Sequence, residues 1–182
     1  MYPVNVAFAH DTELALQAAV TLVNSAEDPD TLTTIADLDD YYARFEFTGR
    51  RDGDAAELAA VRRVRPRLRA LLTAERDPAV QMVNEILREA KALPQLVRHD
   101  RLDWHLHAVA PDAPLDRRIT VEAAMAMIDV LRVDELSRLG VCAQDDCEGI
   151  VLDLSRNRSK IFCGPTCSNR AAVAAYRARK RD

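Results

Sequence analysis

The stretch CAQDDCEGIVLDLSRNRSKIFCGPTCSNR, residues 142–170, decides how the C-terminal part of this chain folds. It holds all four cysteines, as Cys142-x4-Cys147 and Cys163-x3-Cys167, with 15 residues between the pairs. Two close pairs bracketing a short segment are how a chain assembles a tetrahedral four-thiolate zinc site. Four protein ligands leave no position for a substrate, so the spacing predicts a structural Zn2+ and not a catalytic one. Between the pairs, residues 149–153 and 160–162 read as two short strands joined by a turn at 155–159. Gly164-Pro165-Thr166 then opens an uninterrupted helical stretch to Arg181, with Cys167 in its first turn. The order knuckle, hairpin, helix is that of a treble-clef zinc finger. Thiolates around a metal carry net negative charge, which a helix N-terminus favours. A module of about 40 residues cannot bury enough surface to fold alone, and metal binding supplies the difference.

The charge distribution around this segment is lopsided. The chain of 182 residues has a net charge of −4, but residues 150–182 carry eight Lys/Arg against two acids, a net +6. The remaining 17 basic and 27 acidic residues give −10. An acidic body with a basic end points to nucleic acid or another polyanion as partner. On a helix turning by about 100° per residue, Arg170, Arg177 and Arg181 share one stripe, with Val173 and Tyr176 on a flank that can pack on the hairpin. Arg156, Arg158 and Lys160 fall at the hairpin turn, and Arg179 and Lys180 extend the basic helix end. These eight residues are the candidate nucleic-acid contacts.

Working outward, the N-terminal part reads as mostly helical. Hydrophobic residues make up 48% and aromatics only 5%, a balance that favours close-packed helices. Residues 11–24 have a helical period, with Asp11 or Thr12 as N-cap and Asn24 as C-cap. A short helix follows from Asp30 or Thr31, then a loop over 47–54. A helix over 54–73 is interrupted by Pro66, and another opens at Asp77-Pro78. Residues 95–107 alternate with period two and predict a hairpin turning at His99-Asp100-Arg101. Its apolar side (Leu102, Trp104, Leu106) is expected to face the core, with His105 and His107 on a polar face. A last helix over 120–139 ends at Gly140. The domain division is 1–139 and 140–182, and the fold class is α+β, mostly α, with a β-hairpin in the first part and a treble-clef-like finger in the second.

Several function classes find no support. No stretch approaches the roughly 20 apolar residues needed to span a bilayer, and the N-terminus lacks the basic region of a signal peptide, so a cytoplasmic location is expected. In a reducing compartment paired cysteines hold metal rather than form disulfides. No phosphate-binding glycine loop and no nucleophile elbow occurs, so no enzyme activity is expected.

At the cysteines the chain resembles the CGNR zinc-finger proteins with an N-terminal ABATE domain. The resemblance rests on Cys142-Ala143 through Cys147, the run Leu152-Asp153-Leu154-Ser155-Arg156-Asn157, and Cys163 through Cys167-Ser168-Asn169-Arg170. Ser168 replaces the glycine of the name-giving motif. The segments Leu22-Val23-Asn24-Ser25 and Ala36-Asp37-Leu38 resemble the family's opening. The resemblance implies DNA binding and stress-linked transcription regulation. The N-terminal domain would then serve sensing or dimerisation, with a small-molecule ligand or a second copy of the chain as its partner. The alternative is a protein-interaction module in which the finger is a structural clip and no nucleic acid is bound.

Overall fold

The computed structural model describes residues 8–99 and 102–180. Seven α-helices lie among them: α1 (His10–Asn24), α2 (Ile35–Arg44), α3 (Ala55–Arg63), α4 (Arg65–Leu72), α5 (Arg76–Glu89), α6 (Leu115–Arg132) and α7 (Pro165–Arg179). Two antiparallel hairpins complete the fold. One pairs β1 (Gln95–His99) with β2 (Leu102–His107), and the other pairs β3 (Leu139–Val141) with β4 (Ile150–Leu152). The mostly helical α+β architecture agrees with the sequence reading.

The core is built on α1 and α6, which make the most extensive helix–helix contact among the described residues. Alanines permit it: Ala18 and Ala19 on α1 and Ala123, Ala124 and Ala126 on α6 are all buried, so the two backbones approach closely while Leu16, Leu22, Ile119 and Met127 fill the flanks. The first helix begins at His10 without a side-chain cap. Asp11 and Thr12 have other work. Asp11 accepts from the Leu106 N–H at 3.2 Å, and the Thr12 hydroxyl donates to Asp129 on α6 at 2.6 Å. The second helix starts later than expected, at Ile35. There Thr34 and Asp37 form a reciprocal capping box. Asp54 caps α3, and Pro66 separates α3 from α4, as the sequence indicates.

Asp30 is not a cap. It receives Arg65 at 2.9 and 3.2 Å and Arg62 at 3.0 Å. The Arg65 hydrogen bond brings its carboxyl down to about 2, against an opposing push from burial. The folded state therefore gains stability above the unfolded carboxylate value, near pH 4, and loses it as pH falls through about 2. At about 1.4 kcal/mol per pH unit this is about 2 kcal/mol. Asp30→Asn is expected to lower the urea midpoint at neutral pH and to flatten the acid limb of stability. An unchanged acid limb would refute the assignment.

Arg118, buried on α6, joins two loops. It donates to the carbonyls of Thr48 and Arg50, and to that of Ala113 at 3.1 Å. The loops meet where Arg50 N–H reaches the Pro111 carbonyl at 2.8 Å. Gly49 lies there with φ +87°, and any Cβ would strike the Pro111 carbonyl.

The first hairpin presents its faces the other way round from the sequence expectation. Trp104 is 64% exposed, Leu106 two residues on and its cross-strand partner Leu96 are exposed too, and His105 is buried at 8%. Period-two alternation defines two faces but not which one meets the body. Here Leu106 N–H is drawn to Asp11, while His105 Nδ1 meets the Asp103 carbonyl at 2.7 Å and its Nε2 meets His107 Nε2 at 3.0 Å. The expected turn residues Asp100 and Arg101 lie outside the described residues. Among the described residues no helix is long and apolar enough to cross a membrane.

Candidate metal centre and basic helix

The metal-ligand segment is anchored by β3 and β4. Their register pairs Leu139 with Leu152 and Val141 with Ile150, and Cys142 N–H closes the knuckle onto the Gly149 carbonyl at 2.8 Å. The sequence reading paired β4 with a strand at 160–162. That pairing is corrected: the ladder partner is β3, which precedes the first cysteine. The segment after β4 instead wraps around Asp153. This buried carboxylate accepts from Ser155 N–H at 2.8 Å and Lys160 N–H at 2.7 Å. Burial pushes the Asp153 carboxyl up, but these hydrogen bonds and Arg138 outweigh it and the net direction is down. Asp153 thus takes up two backbone N–H groups of segment 154–162 that a strand ladder could otherwise use. A single bond, Ala143 N–H to the Ile161 carbonyl at 2.8 Å, ties it to the knuckle.

The strand β4 alternates between two environments. Ile150 and Leu152 belong to the main core beside α1, while Val151 packs with Cys142, Cys167 and Phe162 on the metal side. The finger is thereby joined to the helical body through one strand. Asn24 completes the junction. Its Nδ2 donates to the Ile150 carbonyl at 2.8 Å and its Oδ1 accepts from Ile150 N–H at 2.6 Å. Asn24 is therefore not the cap of α1, a position held by Ser25. Arg69 on α4 adds a bond to the Glu148 carbonyl.

The four sulfurs converge. All lie within 4.8 Å of one another, with Cys147–Cys163 at 3.5 Å and Cys163–Cys167 at 3.7 Å. Tetrahedral coordination at about 2.3 Å per Zn–S bond requires sulfurs about 3.8 Å apart, so the cluster fits a four-thiolate metal site. All four cysteines are free, not disulfide-bonded. Backbone amides address the sulfurs, among them Cys163 N–H to Cys142 Sγ and Gly149 N–H to Cys147 Sγ, both at 3.4 Å. Burial pushes the Cys163 thiol well up and its sulfur neighbours add to the rise; Cys167 moves the same way. On Cys142 burial also pushes up, but the amides of Cys163 and Gln144 turn the net direction down. Thiolates this close repel unless a cation lies between them. Gly149 is demanded by the cradle: a Cβ there would lie 2.9 Å from Cys163 Sγ and 3.3 Å from Cys147 Sγ.

Cys163 lies in a bend before α7, and Cys167 lies in its first turn, as the sequence indicates. Ser168 occupies an ordinary exposed helical position, so the motif's glycine is not needed for backbone geometry here. Beyond Cys167 the described part of α7 touches almost nothing. Only Ala171 is half-buried, and Val173 (47% exposed) and Tyr176 (52%) do not pack on the hairpin.

The basic candidates divide by their partners. Arg158 pairs with Glu135 at 2.6 Å, Lys160 donates to the Leu152 carbonyl at 3.2 Å, and Arg170 pairs with Asp146. Arg156, Arg177, Arg179 and Lys180 are exposed, with Lys180 lying over the Tyr176 ring at 5.1 Å. Arg181 lies outside the described residues. Sequence reasoning missed Arg138, which donates to the carbonyls of Asp153 and Ser155 at 2.9 and 3.1 Å while its Nε meets Glu135 at 2.9 Å. It also missed the roles of Asn24 and Gly149. An Asn closing an otherwise apolar helix, and a glycine two residues after a ligand cysteine, were the available signals.

Comparison with known families accords with this geometry. Residues 138–180 match the CGNR zinc finger. Residues 16–134, more than half of the chain, match the ABATE family, described as "Putative stress-induced transcription regulator". A search of curated proteins finds no match. With its four-cysteine cluster in a CGNR zinc finger, the chain belongs to the ABATE family.

Proposed function

We propose that the protein is a zinc-dependent DNA-binding transcription regulator in which α7 is the contact element. The observation that carries this reading is the exposure of α7: a 15-residue helix fixed at its first turn by Cys167 and otherwise nearly free of tertiary contact. Isolated helices of this length are marginal in water, so the metal-held turn and a partner together account for its persistence. At about 1.5 Å per residue it is about 22 Å long, and a B-DNA major groove admits such a helix. Arg177, Arg179 and Lys180 line its outer half, and Arg156 projects from the neighbouring loop. Arg170 and Arg158 sit in exposed ion pairs that can exchange an acid for a phosphate at small cost.

Cys142, Cys147, Cys163 and Cys167 would hold the metal, and thiolate softness with tetrahedral spacing favours zinc. When bound, the ion would supply the positive charge that lets four sulfurs pack together. The protein's residues supply the rest: Gly149 leaves room for the sulfurs, Asn24 and β4 fix the knuckle to the body, and Asp153 shapes the basic loop.

With three to five phosphate contacts, log affinity for duplex DNA should fall against log salt with a slope of about −3 to −4.5. Arg177→Ala with Lys180→Ala should make that slope shallower by about 2. A duplex affinity independent of salt and of these residues would remove the reading. The exposed Val173 and Tyr176 on the same helix favour a second reading, docking into an apolar groove of a protein partner. Capture of a stable protein partner through Tyr176, with no duplex retained, would select it.

A further inference from the structure

We propose that the cleft between the β1–β2 hairpin and the start of α6 binds a small amphipathic carboxylate, an apolar body ending in one carboxylate group. The cleft has a volume of about 890 Å³, within the range of about 300–1,000 Å³ usual for small-molecule sites. Its floor is apolar, formed by the buried Ala90 and Ala108 with the half-buried Val97 and Val109. Its mouth carries two cations, Lys91 and Arg117. Lys91 stands where the chain leaves α5 with φ +47°, a left-handed turn that aims the chain toward the hairpin. Arg117 donates to the carbonyl of Ala90, the residue before Lys91, at 2.5 Å, and both cations line the same cleft. Neither makes an ion pair with an acid among the described residues. The carboxylate on the rim, Asp112, lies within the field of Arg50.

The walls are held apart by independent devices. On one side the hairpin turns Gln95, Val97 and His107 inward. Opposite, the loops carrying Thr48 and Ala113 are joined by Arg118. A point charge and a planar fork at the mouth suit one carboxylate, which can accept from both. The mainly apolar lining disfavours a strongly hydrated phosphate. The site lies on the helical body and does not depend on what α7 binds.

The test uses the full-length, zinc-loaded protein and sodium decanoate below its micellar concentration, followed by the methyl resonances of Val97, Ala108 and Val109. Saturable shifts at these methyls are expected. Decanol should bind at least tenfold more weakly. Lys91→Met with Arg117→Met should weaken decanoate at least tenfold, while Arg117→Lys alone, which keeps the charge, should retain most of the affinity and controls for folding. Three outcomes would overturn the proposal: no saturable shift, equal affinity for decanol, or shifts confined to Leu96, Trp104 and Leu106 on the hairpin's outer face.

Discussion

Replacing Cys163 with serine is expected to abolish stoichiometric metal binding and to unfold α7. The physical argument is one of scale. Structural zinc sites of this kind contribute on the order of 10–16 kcal/mol of apparent binding, comparable with the whole stability of about 5–15 kcal/mol of a typical domain. Cys163 Sγ lies 3.5 Å from Cys147 Sγ and 3.7 Å from Cys167 Sγ. Beyond the metal, little holds the helix: among the described residues of α7 only Cys167 is buried. The loss should appear as reduced helical ellipticity, and chelation of the parent protein should reproduce it. The body should feel the change as well, because Ile150 and Leu152 of the finger sit in the main core. A Cys163→Ser protein that keeps one metal per chain and its full helicity would disprove the assignment of the site.

Asn24→Ala is expected to destabilise the protein by about 2–4 kcal/mol. The side chain makes two hydrogen bonds to the backbone of one residue, Ile150, whose side chain is fully buried. Its removal strands an N–H and a carbonyl away from water, each at about 1–3 kcal/mol. Asn24→Asp separates the two bonds, since it keeps an acceptor for the Ile150 N–H but sets a carboxylate against the carbonyl; it should not restore stability. Urea unfolding measures the loss. Metal release should also become faster in Asn24→Ala, because Ile150 lies three residues beyond Cys147 on the strand that positions the knuckle. A change below about 0.5 kcal/mol with unaltered metal release would mean the clamp is incidental.

Both predictions rest on the same feature, a finger that shares a strand with the body. Through Asn24, Arg69 and β4, a change in packing of α1 or α4 reaches the metal knuckle directly. Glu135 and Arg138 do the same for the basic loop. A regulator whose body responds to a signal would need such a link between body and contact helix.

Local features were legible because they depend on local chemistry. Cysteine spacing indicated the four-sulfur cluster, since a tetrahedral site needs two close pairs. Periodicity placed α1 and α3, and Pro66 marked the break between α3 and α4; the expected helix over 120–139 is displaced, running instead over Leu115–Arg132, with Gly140 inside β3 and not at a helix end. The β1–β2 hairpin was legible as a hairpin but not in its orientation. The free side of Trp104 depends on Asp11, nearly a hundred residues away in the chain. Likewise, nothing near residues 149–153 marks β3 as the partner, because the competing segment 160–162 is diverted by Asp153.

By itself the sequence determined the four-cysteine cluster, the helical body, the basic C-terminal helix and the placement of Cys167 in that helix's first turn. Only the tertiary structure decided that Asn24 clamps Ile150, that β4 belongs to both cores, and that the hairpin shows its tryptophan to solvent. It also decided which arginines are already paired. The reason is range: ligand spacing and helical period are fixed within a few residues, whereas strand partnership, facing and ion pairing are settled by whichever distant group arrives to satisfy an exposed backbone or charge.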